Sequence, residues 1–123
     1  MLDGTVVAYS FADVMEPAGD EPIRVLARIS VVPTDKGGRR GPFKTPYRPN
    51  HNFGGPENRI FYIGQVEAPE ETWVNPGETV ELVVTFLNVI GLAEKLEVGR
   101  EWRIQEGAKL VANGKVLAML PAV

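Results

Sequence analysis

The side chains of this sequence that could do chemistry are few, and their spacing narrows the function before any fold is considered. His51 is the single histidine and cysteine is absent. A catalytic or metal site needs convergent ligands, or a base within reach of a partner. The polar neighbours of His51 in sequence, Asn52 and Glu57 among them, supply no such set, so His51 reads as a structural or solvent-exposed residue. Glu67, Glu70, Glu71, Glu78 and Glu81 could supply a carboxylate pair, but surface strands and turns commonly carry such residues. The expectation is a protein that is not an enzyme, with no catalytic residues, metal or cofactor. The densest cationic group is Lys36, Arg39, Arg40 and Lys44, set in a Gly/Pro-rich stretch. Such a group either contacts phosphate or is simply a solvated loop.

Composition limits what those residues can belong to. With 123 residues, 44% of them hydrophobic and 24% charged, the chain is sized for one ordinary globular domain. A separate nucleotide-binding domain would not fit. The formal charge of −3 argues against a module that grips nucleic acid through a broad basic field, since that binding depends on Lys and Arg neutralising phosphates. Without cysteine there is no disulfide framework and no thiolate chemistry. The N-terminus lacks a signal-peptide pattern and no apolar run reaches spanning length, so the expectation is a cytoplasmic protein with no membrane contact.

The elements that must position these residues read as strands. Residues 5–11 (TVVAYSF) suggest a first strand, followed by an acidic loop at 15–21. In residues 23–32, Ile23, Val25, Ala27 and Ile29 alternate with Arg24, Leu26, Arg28 and Ser30, a period of two. Residues 33–56 hold so many Gly and Pro that a long ordered loop is expected. Residues 59–66 return to strand character, with Ile60, Tyr62 and Gly64 opposing Phe61, Ile63 and Gln65. Asn75-Pro76-Gly77-Glu78 is a turn signal. After it, Val80, Leu82, Val84 and Phe86 form the inward face of the strongest strand. Residues 88–99 allow only a short helical turn. The last stretch, 100–120, reads as a strand carrying Trp102 and Ile104, a turn, and a longer closing strand. Tyr9, Phe11, Phe43, Tyr47, Phe53, Phe61, Tyr62, Trp73, Phe86 and Trp102 are the aromatic core candidates, with Tyr47 and Trp73 alternatively placed to anchor a partner. Six or seven strands with turns between them predict an antiparallel barrel or sandwich.

Four elements in order, Gly37-Gly38-Arg39-Arg40-Gly41-Pro42-Phe43, Tyr47-Arg48-Pro49-Asn50, Asn75-Pro76-Gly77-Glu78 and Trp102-Arg103-Ile104-Gln105-Glu106-Gly107, resemble the third, C-terminal barrel domain of elongation factor Tu. The resemblance covers residues 22–120 and implies an all-β, antiparallel, Greek-key-like barrel of six or seven strands over residues 22–123. Residues 1–21 stand as an extension without counterpart, carrying an extra strand. The GxxxxGK[ST] phosphate loop of the family's GTP-binding domain is absent, so GTP binding is not carried over. The resemblance also implies that Asn113-Gly114, a hairpin signal on its own, lies inside the last strand with Gly114 at a bulge, and that the turn falls at 106–109.

In the family the matching loops touch the aminoacyl-tRNA backbone. That makes Arg39, Arg40, Lys44, Tyr47, Asn50, Gln105, Glu106, Gly107 and Lys109 the candidate RNA- or partner-binding residues. The sequence departs from the family at this surface. Asn50 replaces the usual Gln, Gln105 replaces an Arg and so removes a charge-assisted phosphate contact, and Ile63 replaces a Thr. The expected function is a non-catalytic binding module for a cytosolic protein partner. The alternative is a tRNA-binding, translation-associated module, and a small hydrolase is a distant third.

Overall fold

A computed structural model of the chain describes residues 16–122. The expected strand at 5–11, with Tyr9 and Phe11, lies outside the described residues. Among the described residues there are six strands: β1 (Ile23–Val31), β2 (Asn50–Asn52), β3 (Tyr62–Glu67), β4 (Thr79–Phe86), β5 (Glu101–Glu106) and β6 (Lys109–Leu120). They close into an antiparallel barrel in the order β1-β4-β3-β2-β5-β6. Strands β2, β3 and β4 are successive neighbours, and β1 reaches β2 through the long 32–49 connection yet lies beside β4. That is a Greek-key arrangement.

Alternation explains which faces turn inward. Val25, Ala27, Ile29 and Val31 of β1 are all buried, whereas Arg28 and Ser30 are exposed. On β4, Val84 and Phe86 are fully buried; Val80 and Leu82 are partly buried and pack against the same core, in the part of β4 that runs past its pairing with β3. Strand β3 begins at Tyr62 rather than near residue 59, and Ile60 is exposed. The turn before β4 forms as its residues require, with Glu78 N–H donating to Asn75 O at 3.1 Å and Gly77 at φ 91°. The short helical turn expected after β4 is a single 3₁₀ turn, Ala93–Lys95, beside the buried Leu92 and Leu96.

Two expectations are corrected. The 33–56 segment is not loop throughout: Asn50–Asn52 forms β2 and bridges β3 to β5, so the barrel could not close without it. Gly114 is not a bulge, since it pairs in register with both Trp102 and Ile29. The extra residues on β6 are Val111, opposite the Ile104/Gln105 step, and Leu117, opposite Leu26/Ala27. Gly114 is there for packing instead, because a Cβ on it would sit 2.7 Å from the Trp102 ring. The β5–β6 turn lies at 106–109 as expected.

Candidate functional site

The candidate residues divide into those locked inside the fold and those left at its surface. Arg39 belongs to the first group. The 3₁₀ turn Thr34–Lys36 and the following glycines reverse the chain, and Thr34 Oγ1 donates to Arg39 O at 2.6 Å. The Arg39 side chain then runs back over the barrel. Its Nε donates to Glu106 Oε2 at 2.6 Å, and one Nη donates to Gly41 O and Pro42 O at 2.7 Å each. The guanidinium lies 5.3 Å from the Tyr47 ring centroid and 6.0 Å from that of Phe43, and the two rings stack at 4.1 Å. Tyr47 Oη donates to the same Glu106 oxygen at 2.5 Å.

This cluster sets its own ionisation. For Glu106, burial raises the pKa, but the hydrogen bonds from Tyr47 and Arg39, with the charges of Arg39 and Lys109, outweigh it and hold the carboxyl below the usual range. Tyr47 is pushed well up, first by burial and then by its bond to the carboxylate. Tyr47 is therefore a phenol donor at all ordinary pH. Arg39 and Tyr47, eight residues apart, and Glu106 from the far end of the chain form one structural strut, in which the polar groups of Arg39 and Tyr47 are engaged with Glu106 and backbone carbonyls.

Gln105, expected at a binding surface, is only 2% exposed. Its Oε1 accepts from Asn52 Nδ2 at 2.7 Å and from Arg103 Nε at 3.0 Å, and its Nε2 donates to Gly107 O at 3.0 Å. Asn52, fully buried, also donates to Gly55 O and accepts from Gly54 N and Asn58 Nδ2. These amides pin the 53–60 segment to the strands, so Gln105 acts as a clamp and has no surface for a ligand.

His51 sits inside the barrel. Trp102 Nε1 can only donate and lies 3.0 Å from His51 Nδ1, so Nδ1 accepts, and the proton is on Nε2, which donates to Gly64 O at 3.0 Å. Phe86 meets the imidazole edge-on at 4.9 Å. Burial lowers the His51 pKa to about 4, although the bond to Gly64 opposes the shift. The residue is structural, as the sequence reading allowed. What that reading missed is the partner, Trp102, 51 residues away.

The residues left at the surface are Arg40, Lys44, Gly107 and Lys109, with Asn50 half-buried. Lys44 Nζ stands 5.0 Å over the ring of Trp73, which is 53% exposed. Asn50 pairs with Ile63 on one side and Gln105 on the other. Ile63 is turned outward and 44% exposed; Leu87, whose N–H donates to Ile63 O at 2.9 Å, is 50% exposed. The two line a groove of about 330 Å³ with Pro22, Arg48, Gln65 and Thr85. Arg48 Nε donates to Gln65 Oε1 at 3.0 Å, and Thr85 Oγ1 donates to Glu67, so the apolar pair has a polar, internally bonded rim. Among the described residues no cluster of His, Asp and Glu could hold a metal, and no helix is long and apolar enough to cross a membrane. The chain matches no known family model.

Proposed function

We propose that this barrel, akin to the third domain of elongation factor Tu, is a non-catalytic binding module that takes a protein partner on the outer face of β3 and β4. The observation that carries the reading is the exposure of Ile63 and Leu87 side by side within a polar-rimmed groove. Apolar anchors surrounded by a polar rim are the usual anatomy of a protein interface. The positions that the resemblance assigns to RNA support it poorly. Of the family-like cationic and polar positions, Arg39 is bound to Glu106 and to backbone carbonyls, and Gln105 is buried. Ile63 presents a hydrocarbon where the resemblance implies a hydroxyl.

The experiment is affinity capture with the wild-type chain and with an Ile63→Glu, Leu87→Glu variant that keeps the fold. Expected is a partner retained in near-stoichiometric amount by the wild type and lost by the variant. tRNA gel shifts complete the test. If Lys36, Arg40, Lys44 and Lys109 each held a phosphate, the log affinity would fall with log salt at a slope of roughly −4. Submicromolar binding with such a slope, abolished by Arg40→Ala with Lys44→Ala, would replace the protein reading with the RNA one.

A further inference from the structure

We propose that the outer face of β5, β6 and β1 is a second binding site, one that takes a small diphosphate-bearing anion. A groove of about 480 Å³ runs there, lined by Arg28 and Ser30 of β1, Asn113 and Lys115 of β6, and Glu101 and Arg103 of β5. The register sets Arg28 directly opposite Lys115, and like charges facing across an antiparallel pair repel. An anion above the two relieves that repulsion. Glu81 reaches Arg28 only at 3.5 Å, between side chains about half exposed, a pair of the kind that contributes little. Glu101 lies opposite Lys115 across β5 and β6, yet among the described residues the two form no ion pair.

Arg103 is the third cation, and it is held in place. Its Nε is bound to the buried Gln105, while both Nη groups lack partners among the described residues and keep their donors for a ligand. The backbones of β1 and β5 are two strand spacings apart, roughly 10 Å, so Arg28 and Arg103 flank the groove with Lys115 between them. Ser30 and Asn113, opposite one another in register, add uncharged donors. Three cations against one lining carboxylate exceed what a single carboxylate ligand would neutralise. A diphosphate offers several charged acceptor oxygens for the guanidinium forks. Because β6 and β3 are three strands apart either way around the barrel, this site is opposite Ile63 and does not depend on the protein-partner reading.

Titration of the nitrogen-labelled full chain with inorganic pyrophosphate at constant ionic strength tests the site. Expected are saturable shifts of the Arg28, Asn113 and Lys115 amides, with Lys115→Gln and Arg103→Gln each weakening the apparent affinity about fivefold. Arg28→Gln serves if either variant fails to fold. Shifts that do not saturate, that centre on the 36–44 loop, or that ignore all of these substitutions would overturn the proposal. A short single-stranded RNA that binds this face more tightly than pyrophosphate would overturn it too, by assigning the groove to a nucleic-acid backbone.

Discussion

Two polar clusters of similar size stand in opposite surroundings in this barrel. Inside, the neutral ring of His51 links the Trp102 indole to the Gly64 carbonyl with no exposure to solvent. Outside, the Glu106 carboxylate links Arg39 and Tyr47, with the Arg39 and Glu106 side chains 25% and 39% exposed. The inner cluster is a constraint, because losing one partner leaves a buried polar group unmet. Water can stand in for a lost partner in the outer cluster, so its contribution is smaller and depends on salt. Hydrogen-bond geometry alone does not rank the two; burial does.

The largest expected effect is at the inner cluster. Trp102→Ala removes a 3%-exposed ring packed against Phe53, at a centroid distance of 5.3 Å, and against Phe86, and it strands His51 Nδ1. Roughly 3–5 kcal/mol should be lost, read as a lower denaturant midpoint at unchanged slope. A loss below about 1 kcal/mol, the range of ordinary surface substitutions, would mean that the indole is not in the core.

Acid should come next. The native His51 pKa, about 4, lies below its ordinary value of 6.5, so between those values the unfolded chain binds a proton that the native state refuses. Stability is therefore full above about pH 6.5 and falls as pH drops toward 4, by roughly 3 kcal/mol in total. Glu106 also has a depressed pKa, but its contribution is lost only below its ordinary value of 4.5. Urea melts from pH 7 to 4 separate the two: His51→Gln should flatten the pH 6.5–4.5 slope while leaving the loss below 4.5. An unchanged slope would assign the acid sensitivity elsewhere.

The two clusters were unequally legible in the sequence. Alternation marks β1, β3, β4 and β5, since period-two hydrophobicity follows from one buried face, and β6 reads as a strand from its apolar residues. Strand β2 reads Asn-His-Asn and has no such signal. It is a strand through its pairing with β3 and β5, on which Gly64 and Trp102 receive His51. Arg39, Tyr47 and Glu106 were picked out through the resemblance, and the structure does bring them together. That they satisfy one another could not be seen, because the carboxylate that joins them comes from the far end of the chain. The burial of Gln105 is illegible for a related reason: it depends on Asn52 and the segment folded over it.

Close packing at the inner cluster gives a third, smaller effect. A Cβ at Gly64 would lie 2.9 Å from the Phe86 ring and 3.0 Å from His51 Nε2. Gly64→Ala should thus cost about 1–3 kcal/mol through overpacking, and His51 should lose its alignment to the Gly64 carbonyl. The His51 ring-nitrogen shifts report that directly, and a thermal melt gives the cost. Wild-type stability in Gly64→Ala would show that the ring has room to retreat.

The smallest effect belongs to the outer cluster, and a double-mutant cycle isolates it. Arg39→Ala, Glu106→Gln and the double variant should give a coupling of about 0.5–1 kcal/mol, near the upper end for a partly exposed pair. The figure stays modest because water replaces the lost bond on either side and because Arg39 keeps its carbonyl partners, Gly41 and Pro42, in Glu106→Gln. Raising the salt to about 1 M should shrink the coupling, since the screening length there falls to about 3 Å. Tyr47→Phe should add a loss of about 1 kcal/mol that salt moves less, because the phenol remains uncharged whatever the ionic strength. A coupling above about 3 kcal/mol, insensitive to salt, would place Arg39 and Glu106 in a dry environment like that of His51, and the contrast between the two clusters would fail.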